Sequence, residues 1–383
     1  MSVQTPAGFT ASGVAAGIKN SGGLDLALIV NHGPRYDAAG VFTTNRVSAA
    51  PVRWSQTALR DGQAQAVILN SGGANACTGL PGDQDAEAMA EHTAQTLNIA
   101  APDVLVASTG LIGERLPMTK VIPGIQDAAA QLSDEGLATA AKAIMTTDTV
   151  HKTAQAHGDG YTVSGITKGA GMIAPGMATM LAVVTTDAVV DSALVHELLT
   201  EAVRTTFNRA DSDGCMSTND TVIVMASGAS GITPKRNELQ ELLTTVCASL
   251  ARQIIGDAEG STRDIAVTVH GAATEEDGEE VARTVTRSNL FKTAMFGQDP
   301  NWGRILSAVG TTQAEFDPTT IDVAVNGVMV CRNAGIGDDR ALVRFDDREV
   351  HVDIYLKAGD HTVTVWTNDL SYDYVRENAE YSS

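Results

Sequence analysis

The 383-residue sequence predicts an α/β protein with a strand-rich α+β C-terminal domain. Three observations carry that prediction. Short apolar runs bounded by turn residues recur from Leu24 onward, as buried strands do. Two later segments place apolar residues at three- and four-residue steps, as amphipathic helices do. Beyond about residue 270 the composition turns polar, and β-branched residues alternate with polar ones around tight-turn signals.

In chain order, residues 24–30 and 64–69 read as strands, the second running into the glycine-rich loop Asn70-Ser71-Gly72-Gly73-Ala74-Asn75. An Ala-rich helix is expected over 85–97, then a strand at 104–107 leading into Ser108-Thr109-Gly110-Leu111-Ile112-Gly113. Leu199, Ala202, Val203, Thr206, Phe207 and Ala210 form one helical stripe. Residues 221–226 read as a buried strand. Leu239, Leu242, Leu243, Val246, Leu250 and Ile254 form a second helical stripe, with Gly256 as its stop. Ile321, Val323 and Val325 lead to Asn326-Gly327 and on to Val328 and Val330, a hairpin signal because both central residues of a type I′ turn need positive φ. Val350, Val352, Ile354 and Leu356 make another strand, returned by Val363 and Val365. A break near residue 270 divides the chain into an α/β domain, 1–270, and an α+β domain, 271–383.

A formal net charge of -20 opposes contact with nucleic acid phosphates and anionic membranes, so the expected partner is a small metabolite. No apolar run is long enough to span a bilayer, and the N-terminus lacks the basic and apolar regions of a secretory signal. Cys77, Cys215, Cys247 and Cys331 are scattered without metal-like spacing, which fits reduced thiols in a cytoplasmic protein.

Thr179 stands between a Gly/Pro-punctuated loop and the apolar run 180–184. It reads either as a β-branched strand starter or as a nucleophile that self-cleavage turns into a new amino terminus, with the freed amine as its base. Lys168-Gly169-Ala170-Gly171-Met172-Ile173-Ala174 fits G-x-G-x-x-A, but Pro175-Gly176 and a strand-like run follow where a dinucleotide-binding helix should lie. Asp211-Ser212-Asp213-Gly214 resembles the centre of a calcium loop, yet Arg209 stands where its first carboxylate belongs. Asp213 and Asn219 are therefore expected to bond local loop backbone. His151 and His157 lie in a polar stretch and are expected to be solvated, and no metal site is expected. Asp299 reads as an N-cap with Pro300 at the first helical position.

Taken together, the segments Val67–Cys77, Ser108–Gly113, Ile144–Asp148, Lys168–Ala174, Ala178–Leu181, Ser217–Thr221, Asp257–Gly260, Lys292–Gly297, Asp299–Arg304 and Glu377–Ser383 resemble the ornithine acetyltransferase family across nearly the whole chain. The resemblance implies a layered α/β sandwich, similar to amino-terminal nucleophile hydrolases in chemistry but with its own topology. It implies self-cleavage between Ala178 and Thr179 into an α chain, 1–178, and a β chain, 179–383, two of each assembling together. It implies acetyl transfer from N-acetylornithine to glutamate in arginine biosynthesis through an acetyl-Thr179 ester. Thr109 and Gly110 would form the oxyanion hole, and Thr146, Lys168, Thr179, Glu259, Asn378 and Ser383 would contact substrate. No cofactor is implied, although some family members also take acetyl from acetyl-CoA as a substrate. Asn378 and Ser383 would require a docked C-terminus.

Two other readings compete. A self-processing aminopeptidase or amidase would use the same Thr179 chemistry with water as acceptor. A non-catalytic, two-lobed amino-acid-binding protein would keep Thr179 as a plain strand starter and the chain in one piece.

Overall fold

The computed structural model describes residues 3–174 and 180–380. They form two compact units. Among the described residues, the first holds 3–174, 180–208 and 215–254; the second holds 209–214 and 255–380. The units part upstream of the break expected near residue 270, because the strand that spans 270 lies inside the second unit's sheet.

The first unit contains strands β1 (Phe9–Val14), β2 (Leu26–Asn31), β3 (Asp37–Phe42), β4 (Ala66–Ser71), β5 (Val104–Thr109), β6 (Lys152–His157), β7 (Thr162–Lys168), β8 (Leu181–Thr186) and β9 (Thr221–Ala226). Its helices are α1 (Ala50–Ala58), α2 (Gly79–Leu97), α3 (Met118–Ala130), α4 (Leu137–Ala143), α5 (Ser192–Thr205) and α6 (Arg236–Gly256). One sheet has the order β1-β2-β4-β5 and the other β3-β9-β8-β7-β6. Their facing surfaces share one core, in which Ile29, Val67, Leu69 and Leu105 meet Ile166, Leu181, Val183 and Ile223. On the outer face of the first sheet, Leu28, Ile68 and Val106 pack against Met89 and Ala90 of α2 and Val121 and Ile125 of α3. The second sheet is covered by α5, on β3, and by α6, whose Val246 and Leu250 crowd Gly165 of β7. The result is a helix–sheet–sheet–helix sandwich. Strands covered on both faces explain why β4, β5, β8 and β9 are buried at every position and read as apolar runs without alternation.

Helix α5 starts at an Asp191 cap, whose carboxylate accepts from the Leu194 N–H, and ends earlier than its apolar stripe predicts. Thr206 leaves the helical path, and its hydroxyl bonds the Ala202 carbonyl in place of a continuing turn. Phe207 is still buried past the helix, whereas Ala210 belongs to the second unit, where it is buried as a bridge partner of Trp366.

The second unit contains β10 (Asp264–Ala272), β11 (Asp322–Val325), β12 (Val328–Arg332), β13 (Gly335–Ile336), β14 (Glu349–Tyr355) and β15 (His361–Asn368), with α7 (Glu275–Thr286), α8 (Asn289–Phe296), α9 (Trp302–Val309) and α10 (Tyr372–Glu380). Its sheet runs β13-β12-β11-β14-β10-β15, and α7, α8 and α9 pack on its Ile265, Val267, Val269, Val352 and Val365. Asn326 and Gly327 have φ of 47° and 81°, the expected type I′ turn. The cap of α9 lies two residues past the expected one: Asn301, not Asp299, accepts the Arg304 N–H, and Asp299 instead orients Asn301 by accepting from its Nδ2. Among the described residues no helix is long and apolar enough to cross a membrane.

Candidate active site

Three strand ends meet at one end of the first unit's sandwich. Strand β5 ends at Thr109, β7 ends at Lys168, and β8 begins at Leu181 as the antiparallel partner of Lys168. Ala178 and Thr179, just before this start, lie outside the described residues. Thr109 pairs in register with Ser71 on parallel β4. Its carbonyl accepts the N–H groups of both Gly72 and Gly73, at 2.9 and 3.0 Å. The next residue, Gly110, has φ of 127°, and a Cβ there would stand 2.5 Å from the Gly73 nitrogen. Only glycine fits a turn that both takes positive φ and touches another backbone. The two glycine-rich segments noted in the sequence thus zip against each other at Thr109 and Gly110.

Thr109 is buried, and across the sandwich the buried Lys168 ammonium donates to its Oγ1 at 3.3 Å. A hydroxyl that accepts from an ammonium keeps its own proton to give elsewhere. Beneath Lys168 lies Asp148, which sequence reasoning left without a role. Its Oδ1 accepts from the Lys152 ammonium at 2.6 Å and from the Gly169 N–H at 2.7 Å; its Oδ2 accepts from the Thr146 N–H at 2.9 Å. Burial works against the Asp148 charge, but the ammonium groups of Lys168 and Lys152 and the Thr146 N–H outweigh it, lowering the carboxyl to about 2. Lys19 adds a third cation, its Nζ bonded to the carbonyls of Leu24 and Met145. Burial pulls Lys19 below the ordinary lysine value against the pull of Asp25, and Lys168 adds to the fall. Lys168, Lys152 and Lys19 stand against two internal carboxylates, Asp148 and Asp25, an excess of one cation at this end of the sandwich in a protein whose formal charge is -20. A local excess of positive charge favours an anion or a developing oxyanion. The sequence signal for Asp148 was its spacing of four from Lys152, but that spacing marks a pair only on a helix, and these residues lie in a loop and at the start of β6.

A second group that the sequence underplayed is the loop Ser217–Asp220. Asn219 does not bond local backbone; its Nδ2 reaches the carbonyls of Ala74 at 2.6 Å and Ser108 at 2.8 Å. Asp220 is wholly buried and its Oδ1 accepts the Met180 N–H at 3.0 Å. Complete burial pushes this carboxyl well above the usual carboxylate range.

Thr146, Lys168, Thr109 and Gly110 therefore belong to one connected cluster of the first unit. Glu259 and Asn378 lie in the second unit. Glu259 is half-buried in the turn after α6, where the following Gly260 packs on the Tyr374 backbone and its carbonyl takes the Ser371 hydroxyl. Asn378 is exposed on α10, its Nδ2 donating to the Tyr374 carbonyl. Helix α10 buries none of its side chains, so within this unit it is held at its first turn through Ser371 rather than docked along its length. Ser383 lies outside the described residues. Asp211 of the calcium-like segment accepts from Arg287 at 2.8 Å, an ion pair that closes it onto α7.

A family model for the ArgJ family matches residues 10–383. The chain is 59% identical to the arginine biosynthesis bifunctional protein ArgJ of Streptomyces avermitilis, over the full length of both. It is 57% identical to that of Streptomyces coelicolor, again over both full lengths. A solved ornithine acetyltransferase from Mycobacterium tuberculosis, in complex with ornithine, aligns at 52% identity with a TM-score of 0.45, covering 47% of this chain and 97% of that one. With full-length identity to such relatives and the family match across nearly every residue, the chain belongs to the ArgJ family, the bifunctional acetyltransferases of arginine biosynthesis.

Proposed function

We propose that this protein transfers acetyl from N-acetylornithine to glutamate through a covalent acetyl-Thr179 ester, after cutting itself between Ala178 and Thr179. In the precursor the Thr179 hydroxyl attacks the Ala178 carbonyl, and hydrolysis of the resulting ester leaves Thr179 as the first residue of the chain 179–383. Its free α-amine then takes the hydroxyl proton as Oγ attacks the acetyl carbon of N-acetylornithine. The C–N bond breaks, the proton passes to the departing amine, and ornithine leaves. The glutamate amine attacks the ester, giving N-acetylglutamate and restoring the Thr179 hydroxyl. Two chains of each kind assemble into the working enzyme.

The observation that carries this reading is the hydrogen bond from Lys168 to the Thr109 hydroxyl beside the start of β8. It supports Thr109 and Gly110 as donors to the tetrahedral oxyanion, the first polarised by the ammonium next to it. The cluster of Lys168, Lys152 and Lys19, one cation more than Asp148 and Asp25 balance, supports a substrate carboxylate held by Lys168 with Thr146. Glu259 receives the ornithine side-chain ammonium, and Asn378 and Ser383 close the substrate contacts from the C-terminal segment. The same ester can be loaded from acetyl-CoA, which needs no further catalytic group.

Intact mass and acetyl transfer test the proposal together. Two products split at Ala178-Thr179, and N-acetylglutamate formed only when glutamate accompanies N-acetylornithine, are expected. A single 39.8 kDa species that is fully active would sink the nucleophile assignment. Rapid acetate release indifferent to glutamate would replace transferase by amidase. Substituting acetyl-CoA for N-acetylornithine in the same assay reads the second donor.

A further inference from the structure

Strand β5 is an edge strand, so the carbonyls along one side of it have no neighbouring strand to bond. Side chains take that side at regular two-residue intervals. Trp54 Nε1 donates to the Val104 carbonyl at 2.9 Å, and the Ser55 hydroxyl donates to the Val106 carbonyl at 2.7 Å. Asn219 Nδ2 donates to the Ser108 carbonyl at 2.8 Å. The third clamp holds the peptide that leads into Thr109. It also holds the Ala74 carbonyl, on the glycine-rich loop that wraps Thr109.

The neighbouring residue faces the other catalytic strand. Asp220 Oδ1 accepts the N–H of Met180, and the Met180 carbonyl in turn accepts the Thr221 N–H at 3.1 Å. Both backbone groups of the residue after Thr179 are thereby fixed. The loop that makes these contacts is itself rigid. The carbonyl of Ser217 accepts from the Thr43 hydroxyl, that of Thr218 from the Ala49 N–H, that of Asn219 from the Thr221 hydroxyl, and that of Asp220 from the Thr43 N–H. Every carbonyl of the four-residue loop is engaged.

We infer that Asn219 and Asp220 are positioning residues for acyl transfer, a two-residue brace that sets the oxyanion turn at Thr109-Gly110 against the Met180 peptide, the residue that follows Thr179 in the chain. Adjacent residues of one pinned loop cannot move independently, so the donor turn and the Met180 peptide are held in register through cleavage, acetylation and deacetylation. The brace acts through hydrogen bonding: Asn219 as a two-pronged amide donor, Asp220 as the acceptor for the Met180 N–H. This inference rests on the acetyl-threonine reading and adds to it what holds the two halves of the reacting centre in register.

The test compares N219A, D220A and D220N with S55A, which removes another clamp on the same edge of β5 farther from Thr109. Because an ångström of misplacement costs on the order of 100-fold in rate, kcat for acetyl transfer is expected to fall about that far in N219A and D220A, with KM for N-acetylornithine within about threefold. D220N keeps an acceptor oxygen and is expected to recover kcat to within about fivefold. S55A is expected to lower the melting temperature while leaving kcat within about twofold. Equal kcat losses in S55A and N219A, or kcat retained in N219A and D220A, would overturn the brace. A loss in D220N as deep as in D220A would overturn the acceptor role of Asp220. T179A, run alongside, keeps the two inferences apart: if it still transfers acetyl, the ester mechanism fails, whatever the other variants show.

Discussion

Lys168 and Thr109 come from different sheets and meet at the same end of the sandwich, the ammonium of one donating to the hydroxyl of the other at 3.3 Å. Each ends a buried strand where a further apolar residue would have been cheaper to bury, since a charge inside a protein is tolerated only when paired and hydrogen-bonded. The proposed oxyanion donors lie at this end of the sandwich.

Removing the Thr109 hydroxyl should therefore cost catalysis more than folding. T109A is expected to lower kcat by about 100-fold, the usual loss for one oxyanion donor, or about 3 kcal/mol of transition-state stabilisation. T109S keeps the donor and should stay within about tenfold of the parent. Steady-state transfer kinetics on both variants, with KM measured separately, checks the contrast.

The Asp148 carboxyl predicts a specific acid sensitivity. Its folded value, about 2, lies below the ordinary 3.8, so its ion pairs contribute stability that is fully present above pH 4 and is lost as pH falls through about 2. The linked contribution is about 2 kcal/mol. D148N should be less stable than the parent at pH 6, because Lys152 is left buried without its counter-charge. The gap between the two should narrow by about 2 kcal/mol between pH 4 and pH 2, read from urea unfolding at stepped pH.

The strands of the site were legible in the sequence because β5, β8 and β9 are covered on both faces and leave uninterrupted apolar runs. Helix α6 and the Asn326-Gly327 hairpin were legible for equally local reasons, a 3.6-residue stripe and a positive-φ turn. The end of α5 was not, since Phe207 stays buried after the helix has stopped and Ala210 is buried in the second unit, and hydrophobic spacing cannot tell burial on a helix from burial past it. The site residues Thr109, Gly110, Thr146 and Lys168 came from motif resemblance, whereas Asp148 and the long reach of Asn219 did not. Asn219 bonds residues 145 and 111 positions away, and no local pattern encodes such a partner.

Gly110 is fixed by two independent demands, and both should appear on replacement. In G110A the backbone must hold φ near 127° with a side chain, and the new Cβ would press on the Gly73 nitrogen and the Gly72 carbonyl carbon at 2.5 and 2.6 Å. Relief requires the glycine loop to move away from the Thr109 carbonyl, which both glycine N–H groups hold. A loss of about 1–3 kcal/mol in unfolding free energy is expected from the strain. Transfer activity should fall further than that loss explains at temperatures where the variant remains folded. Calorimetry and kinetics at 25 °C separate the two.

Lys168 should show a split that neither Thr109 nor Gly110 shows, because it is asked to do two things. As the partner of a substrate carboxylate it sets KM, and as the donor to Thr109 Oγ1 it sets kcat. K168M keeps most of the buried aliphatic volume and removes the charge. It is expected to raise KM for N-acetylornithine and for glutamate by about tenfold or more, a typical loss for one charge-assisted hydrogen bond, and to lower kcat as well. K168R should not restore the parent, since a planar guanidinium cannot place one donor on Thr109 as the compact ammonium does in this enclosed space. A K168M enzyme with KM unchanged for both substrates would remove the carboxylate role and leave the role through Thr109 standing.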